Sequence, residues 1–179
     1  MLQPRFDAEE MLALIERHRV THMHIVPTMF VRLLKLPEHV RKRYDVSSLR
    51  FVIHGAAPCP PDTKRSMIEW WGPVICEYYG STETGVPVWQ DSATALKRPG
   101  AVGRIVEGSI VKVYDDAGNE LPPGEIGEIY MRVESLTDFT YHGQDEKRCE
   151  VGRGNLVTVG DIGWIDEDDY FSCATGSAT

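Results

Sequence analysis

The sequence lacks three features that would point to particular classes of protein. It has no run of about 18 apolar residues, so it predicts no membrane-spanning helix. Its four cysteines (Cys59, Cys76, Cys149 and Cys173) are far apart, and without a Cys-x-x-Cys pair they do not favour a zinc site. Positive charge is also scarce, because 19 Lys and Arg stand against 27 Asp and Glu. A nucleic-acid-binding surface would be basic, so we expect no nucleic-acid partner.

The compartment follows from two further absences. The amino-terminal residues do not show a charged segment followed by an apolar one, as a signal peptide would. Unpaired cysteines are typical of a reducing environment. We therefore expect a cytoplasmic protein, whose 179 residues are enough for one large domain or two small ones.

The first half of the chain alternates helix and strand patterns. Residues 7–18 and 60–71 have the apolar spacing of helices that bury one face. Residues 20–26, 49–53 and 74–78 are short segments rich in apolar residues and are predicted to be strands. This order predicts an α/β fold, in which a parallel sheet has flanking helices and ligands bind beyond the carboxyl ends of the strands.

The second half has a different pattern. Residues 110–114, 127–132 and 157–159 are short strand patterns separated by turns that contain Gly, Pro, Asp and Asn. They predict that a small antiparallel β subdomain follows the parallel sheet.

These patterns suggest how the chain is divided. We expect an α/β part over residues 1–95 and the antiparallel β subdomain over residues 96–171. Residues 172–179 are expected to be an aberrant tail.

Residues 77–85, Glu-Tyr-Tyr-Gly-Ser-Thr-Glu-Thr-Gly, combine groups that could bind a nucleotide. An aromatic face can stack on a base, and glycine lets backbone approach a ligand closely. Hydroxyls can bond phosphate oxygens, and a carboxylate can bind Mg²⁺. A strand end followed by a Gly/Ser/Thr turn is the alternative, and composition alone favours it.

Four other segments occur with this one in an order and spacing that resembles the adenylate-forming superfamily. They are residues 51–58, 99–104, 122–129 and 157–166. This superfamily contains acyl-CoA synthetases, adenylation domains of peptide synthetases and luciferases. Five segments in one order are far more specific than any one of them, and the resemblance covers most of the chain.

The resemblance implies an adenosine site. Tyr79, followed by Gly80, would stack on the adenine of ATP or AMP. The turn Gly55-Ala56-Ala57-Pro58 would form the other side of the adenine pocket. Asp161 would bind both ribose hydroxyls, since a carboxylate accepts hydrogen bonds and ribose offers two donors. A turn aspartate is the alternative for Asp161. His54, before the adenine turn, is more typical of a core or turn histidine than of a catalytic one.

The resemblance also implies the catalytic residues. Thr82 would bond the α-phosphate, and Glu83 would bind Mg²⁺, which offsets negative charge as the carboxylic acid attacks. The alternative is that both are solvated turn residues.

The function implied is that of an AMP-forming acid–thiol ligase of fatty acid metabolism, an acyl-CoA synthetase. Its substrates would be a fatty or aromatic carboxylic acid, ATP and coenzyme A. A non-catalytic nucleotide-binding remnant and an adenylation domain that loads a carrier protein are the alternatives.

The chain departs from the family in several places. The family's Lys-containing phosphate loop and its carboxyl-terminal domain with a catalytic lysine have no counterpart here, so we expect an internal fragment that is inactive alone. Asp169 stands where the family usually has Gly. The residues after Phe171 do not match the family's hinge motif, and are compatible with a one-base shift in the coding sequence.

Overall fold

The computed structural model describes residues 5–174, apart from the side chain of Asp145. The chain divides into two compact units. The first consists of the described residues up to Glu77 together with Asp91–Gly100. The second consists of Tyr78–Gln90 together with the described residues from Ala101 onward.

The first unit contains a small parallel sheet and the helices that accompany it. Its strands are β1 (His22–Ile25), β2 (Phe51–His54) and the first residues of β3 (Ile75–Ser81). Strand β1 pairs with β2, and β2 pairs with β3, both in parallel. The helices are α1 (Ala8–His18), α2 (Pro27–Leu34), α3 (Glu38–Arg41), α4 (Pro61–Trp71) and α5 (Ser92–Lys97). The predicted parallel sheet with flanking helices is confirmed.

Local sequence signals explain where the main helices begin. The Asp7 side chain caps α1 by accepting a hydrogen bond of 2.8 Å from the backbone N–H of Glu10. Pro61 occupies the first turn of α4, where its missing N–H has no cost. Helix α1 packs against α2, and α2 packs against α4. The core of this unit is formed by apolar side chains that are almost fully buried, among them Leu12, Ile15, Ile25, Phe30, Leu33, Val52, Met67 and Ile75.

The second unit is antiparallel. Its strands after β3 are β4 (Gly85–Gln90), β5 (Gly103–Ile105), β6 (Ser109–Tyr114), β7 (Gly127–Val133), β8 (Gly152–Arg153), β9 (Leu156–Ile165) and β10 (Tyr170–Cys173). They neighbour one another in the order β4-β5-β10-β9-β7-β6, with β8 beside β9, and each of these pairs is antiparallel. One helix, α6 (Asp145–Glu150), precedes β8. The predicted antiparallel β part is confirmed.

Several elements differ from the sequence pattern. Strand β4 was not predicted because it begins with Gly85 and contains Pro87, which argue against a strand. Strand β9 is ten residues long, whereas the pattern indicated three, because Gly160 and Gly163 interrupt its apolar alternation.

The expected division of the chain remains a prediction. Helix α5 lies across the position expected for a boundary. Ser172 and Cys173, assigned to the aberrant tail, form part of β10. Residues 175–179 of that tail lie outside the described residues. None of the helices in the described part of the chain has the length and apolar character that crossing a membrane requires.

Candidate functional site

The turn between β3 and β4 carries Thr82 and Glu83, and two neighbouring hydroxyls fix its shape. Ser81 Oγ accepts hydrogen bonds from the backbone N–H groups of Glu83, at 3.1 Å, and Thr84, at 3.2 Å. Thr84 Oγ1 accepts one of 3.0 Å from the backbone N–H of Ser81. Thr82 is exposed on this turn. The sequence therefore builds a rigid turn that presents a hydroxyl and a carboxylate next to each other.

The Glu83 carboxylate is held in its charged form. A hydrogen bond from the Ser81 side chain is the main cause that lowers its pKa, and Tyr141 and Lys147 lower it further. The Tyr141 hydroxyl donates a hydrogen bond of 3.1 Å to Glu83 Oε1. Carboxylate oxygen is the ligand type that Mg²⁺ prefers.

A magnesium ion fits this position only together with a phosphate ligand. Within residues 5–174 there is no group of three or more His, Cys, Asp or Glu side chains that could hold a metal ion by themselves. Mg²⁺ in nucleotide sites is commonly bound through one or two carboxylates, water and the phosphates of the substrate. A single charged carboxylate on a fixed turn is compatible with that arrangement.

Tyr79 and Asp161 lie in direct contact although 82 positions separate them in the sequence. The Tyr79 hydroxyl donates a hydrogen bond of 2.5 Å to Asp161 Oδ2. The Tyr79 ring also packs against Phe171, with ring centroids 4.7 Å apart. Burial is the main cause that raises the pKa of Tyr79, so its hydroxyl keeps the proton that it donates. Two of the residues predicted to bind adenosine are thus brought together.

A bulge in β9 exposes Asp161. Glu128 and Tyr130 of β7 pair with Ile162 and Thr158 of β9. One residue of β7 therefore stands opposite three residues of β9, and Asp161 is among these three. Gly160 within the bulge has a φ of +83°, which glycine adopts without strain. Bulges of this kind redirect side chains at the edges of binding sites.

The Thr158 side chain stabilises the bulge with two hydrogen bonds. Its hydroxyl donates to Glu128 Oε1 at 3.0 Å and accepts from the backbone N–H of Gly160 at 3.0 Å. The position of Asp161 is therefore set by side chains of both paired strands.

Gly80 follows Tyr79 and allows the two strands of the hairpin to come close. A Cβ atom at this position would lie 1.9 Å from the carbonyl oxygen of Gly85. No larger residue fits without displacing the β4 backbone beside Tyr79.

The remaining predicted site residues form a turn in the first unit, directly after β2. Gly55 is buried, whereas Ala56, Ala57 and Pro58 are exposed. Ala56 has a φ of +63°, a left-handed conformation that costs a residue with a side chain about 1–2 kcal/mol. Backbone strain of this kind persists where the surrounding structure fixes it, often at ligand-binding loops.

A cluster of buried ionisable side chains was not predicted. The Lys64 ammonium of α4 donates to the Glu77 carboxylate of β3, and both side chains are buried. His54 is fully buried beside them, with its Nδ1 atom 3.8 Å from Glu77 Oε1. Its ring contacts Phe30 edge to face. Burial is the main cause that lowers the pKa of His54 to about 3, so its ring is neutral. This location agrees with the interpretation of His54 as a core histidine.

Tyr141 was also missed as a partner of Glu83. The sequence contained a signal, because Phe139 and Tyr141 alternate with polar residues and are followed by Lys147 and Arg148. Nothing in that pattern indicates that Tyr141 contacts a turn 58 positions earlier.

Three comparisons with known proteins bear on this site. The family model described as "AMP-binding enzyme" matches residues 1–138. The 4-coumarate–CoA ligase 1 of Glycine max is 30% identical over 175 residues, covering 94% of this chain and 59% of that protein. The long-chain-fatty-acid–CoA ligase of Bacillus subtilis (strain 168) is 29% identical over 175 residues, covering 97% of this chain and 31% of that protein.

A solved structure supports the same relationship. The amide bond synthetase McbA from Marinactinospora thermotolerans superposes with a TM-score of 0.86 at 32% identity, over 96% of this chain and 35% of that chain. The chain thus spans between about a third and three-fifths of the length of the proteins it matches. Since the family model covers more than half of the chain, the chain belongs to the AMP-binding enzyme family, that is, to the adenylate-forming superfamily.

Proposed function

We propose that the chain forms the adenosine-binding part of an AMP-forming acyl-CoA ligase. The observation that carries this proposal is the contact between Tyr79 and Asp161. It places an aromatic ring, which can stack on a base, beside an exposed carboxylate, which can accept hydrogen bonds from the ribose hydroxyls.

The proposed reaction has two steps. A carboxylate oxygen of the acid attacks the α-phosphorus of ATP, the bond to the β-phosphate breaks, and acyl-adenylate and pyrophosphate form. The thiol sulfur of coenzyme A then attacks the acyl carbon, so that a thioester forms and AMP leaves.

At the adenosine end, Asp161 accepts hydrogen bonds from the ribose hydroxyls. The Tyr79 hydroxyl takes one acceptor position of Oδ2, and a carboxylate offers about four such positions. The ring of Tyr79 stacks on adenine, while Phe171 supports it from within the second unit. The role expected for the Gly55–Pro58 turn of the first unit in adenine binding stays a prediction.

At the phosphate end, the exposed Thr82 hydroxyl bonds the α-phosphate, and Glu83 holds Mg²⁺. When bound, Mg²⁺ would offset the negative charge of the phosphate oxygens. The rigid Ser81–Thr84 turn keeps the two groups in place before the substrate arrives.

The names of the relatives support a substrate class. One is named for 4-coumarate, an aromatic acid, and another for long-chain fatty acids. A fatty or aromatic acid is therefore the proposed substrate. The structural neighbour is named an amide bond synthetase, so an amine is the second candidate for the acceptor of the acyl group. Incubating the protein with acyl-adenylate and either coenzyme A or an amine, and identifying the product, would distinguish these two acceptors.

Binding of AMP tests the site directly. Stacking and charged hydrogen bonds contribute about 1–3 kcal/mol each, and immobilising the nucleotide opposes them, so we expect a Kd of about millimolar. Ligand-observed NMR titrations measure affinities in this range. We expect both Asp161→Ala and Tyr79→Ala to weaken AMP binding by about tenfold.

Two controls make the titration specific. 2′,3′-Dideoxy-AMP lacks the ribose hydroxyls, so its affinity should not change in Asp161→Ala. Asp116→Ala removes an exposed carboxylate from the same unit and should leave AMP binding intact. AMP binding that survives both Asp161→Ala and Tyr79→Ala would disprove the proposed site.

Catalysis needs a separate measurement. Fixed charges on the transferring phosphate supply much of the rate in such reactions, and this chain has no counterpart of the two family lysines. We expect ATP–pyrophosphate exchange with fatty and aryl acids to be negligible for the chain alone. Binding of AMP without exchange by a longer protein that carries both lysines would favour the non-catalytic remnant instead.

A further inference from the structure

Residues 138–148 of the second unit contain two aromatic side chains, and a cationic side chain lies over each of the two rings. The rings of Phe139 and Tyr141 meet edge to face, with centroids 5.4 Å apart. Arg148 Cζ lies 4.9 Å from the centroid of Phe139, and Lys147 Nζ lies 4.8 Å from that of Tyr141. Arg148 also forms an ion pair of 2.8 Å with Asp138. Contacts with Phe139 and Lys147 therefore restrict the orientation of the Tyr141 ring.

The hydroxyl of Tyr141 contacts Glu83, the proposed metal ligand. Tyr141 donates to Glu83 Oε1 at 3.1 Å, which joins the segment to the β3–β4 turn. The bond uses one acceptor position of the carboxylate and leaves the others for a cation.

Such a bond matters because a glutamate side chain is flexible. Fixing its rotamer on binding costs up to about 2 kcal/mol of conformational entropy. Ser81 fixes the backbone of Glu83 by accepting a hydrogen bond from its N–H group. Tyr141 acts at the other end, on the carboxylate itself. A carboxylate that is already oriented binds a cation more tightly than one that must first be ordered.

We propose that Tyr141 is a positioning residue that orients Glu83 for the magnesium ion accompanying ATP. Tyr141 does not touch the nucleotide in this proposal, and acts only through Glu83. The inference rests on the proposed function, because it assigns a partner to one of the site residues named there.

The test uses three ligands on the chain and on its Tyr141→Phe variant, which keeps the ring and removes the hydroxyl. ATP with Mg²⁺, ATP with EDTA, and AMP are titrated separately. A hydrogen bond to a charged group is worth about tenfold in affinity when it is lost. We expect Mg²⁺–ATP to bind about fivefold to tenfold more weakly to Tyr141→Phe, while AMP and metal-free ATP bind as before.

Glu83→Gln shows whether Tyr141 acts through the carboxylate. We expect the double variant Tyr141→Phe/Glu83→Gln to bind Mg²⁺–ATP no more weakly than Glu83→Gln alone. If the double variant loses as much affinity as the product of the two single losses, the proposal is overturned. Tyr44→Phe is the matched control, because Tyr44 donates a comparable hydrogen bond of 2.9 Å to Glu9 in the first unit. It should leave all three affinities unchanged.

The outcomes separate this inference from the proposed function. Equal weakening of all three ligands by Tyr141→Phe, or an unchanged affinity for Mg²⁺–ATP, overturns the inference while the nucleotide site stands. If the unmodified chain binds neither AMP nor Mg²⁺–ATP, both the proposed function and the inference fail.

Discussion

The two units use ionisable side chains in opposite ways. In the first unit, Lys64, Glu77 and His54 are 7%, 5% and 0% exposed, and they contact one another inside the protein. In the second unit, Glu83 lies on a hairpin turn and Asp161 on a bulge, where solvent reaches them. The same kinds of group are therefore buried and paired in one unit and accessible to solvent in the other.

The backbone explains this difference. Strands of a parallel sheet are usually covered on both faces, so an ionisable side chain in β2 or β3 that points into the core must find a partner inside. Antiparallel strands joined by a tight turn or interrupted by a bulge direct side chains outward. The architecture of each unit thus decides whether a carboxylate is hidden or available.

The largest expected effect comes from breaking the buried pair. Lys64→Met removes the ammonium that neutralises the buried Glu77 carboxylate, and we expect a loss of about 3–5 kcal/mol in the free energy of unfolding. The matched control is Lys112→Met in the second unit, where the Lys112–Glu120 pair of 2.6 Å is partly exposed and should contribute less than about 1 kcal/mol. Urea denaturation measures both.

The double variant sharpens that experiment. Lys64→Met with Glu77→Leu removes both charges, and should regain most of the stability lost in Lys64→Met. Equal losses in the Lys64 and Lys112 variants would contradict the contrast between the units.

The second prediction concerns the close approach that supports Tyr79. Gly80→Ala would place a methyl group against the Gly85 carbonyl, and we expect a loss of about 3 kcal/mol in stability. Gly108→Ala is the control, because Gly108 has a φ of +77° but no atom within 4 Å of an added Cβ. It should cost about 1 kcal/mol, from backbone strain alone. Thermal unfolding of both variants would show whether the collision outweighs the strain.

The third prediction uses the titration of His54. Its pKa is lowered to about 3 in the folded chain, against about 6.5 when unfolded, so below pH 6.5 the unfolded state binds a proton that the folded state does not. Stability is therefore complete above pH 6.5 and falls with pH until about 3. We expect His54 to account for a loss of about 1.5 kcal/mol between pH 6.5 and 5.

Comparing variants isolates that contribution. Between pH 6.5 and 5, the free energy of unfolding of His54→Leu, measured with urea, should fall by about 1.5 kcal/mol less than that of the unmodified chain. His39→Gln, on the exposed surface of α3, should show the same loss as the unmodified chain. An unchanged pH dependence in His54→Leu would place the titration elsewhere.

The smallest predicted effect is a gain in the second unit. Asp169 has a φ of +63°, and the resembled family usually has glycine here. Asp169→Gly should raise stability by about 1 kcal/mol, because it relieves a left-handed conformation. The turn itself is kept by Asp166 Oδ1, which accepts from the N–H groups of Asp168 and Tyr170 at 2.9 Å. Asp168→Gly, at a neighbouring position without a positive φ, should instead lower the melting temperature.

Local patterns predicted the elements whose signals are contained within them. Helices α1 and α4 carry their capping residue or proline and their apolar stripe in a single stretch of sequence. Strand β2 is a mainly apolar run, and Pro27 directly after Val26 marks the end of the segment that contains β1. Strand β4 was missed because its Gly and Pro residues are tolerated only through its neighbours, which the pattern does not show.

For the candidate site too, the sequence indicates which residues to consider but not which of them meet in space. The segment around Tyr79, Thr82 and Glu83 could be predicted as a nucleotide motif because it occurs with four other segments in the order and spacing of a known family. Their roles toward a ligand remain proposals.

The sequence by itself determined the family, through short segments in a fixed order, and the two kinds of architecture, through the spacing of apolar residues within each element. The residues expected to bind adenosine and phosphate remain predictions. Only the tertiary structure decided that the Tyr79 hydroxyl meets Asp161, that Tyr141 meets Glu83, and that Lys64 and Glu77 are buried together. These contacts join residues between 13 and 82 positions apart. Strand pairing, the β9 bulge and core packing bring them together, and no local pattern encodes those distances.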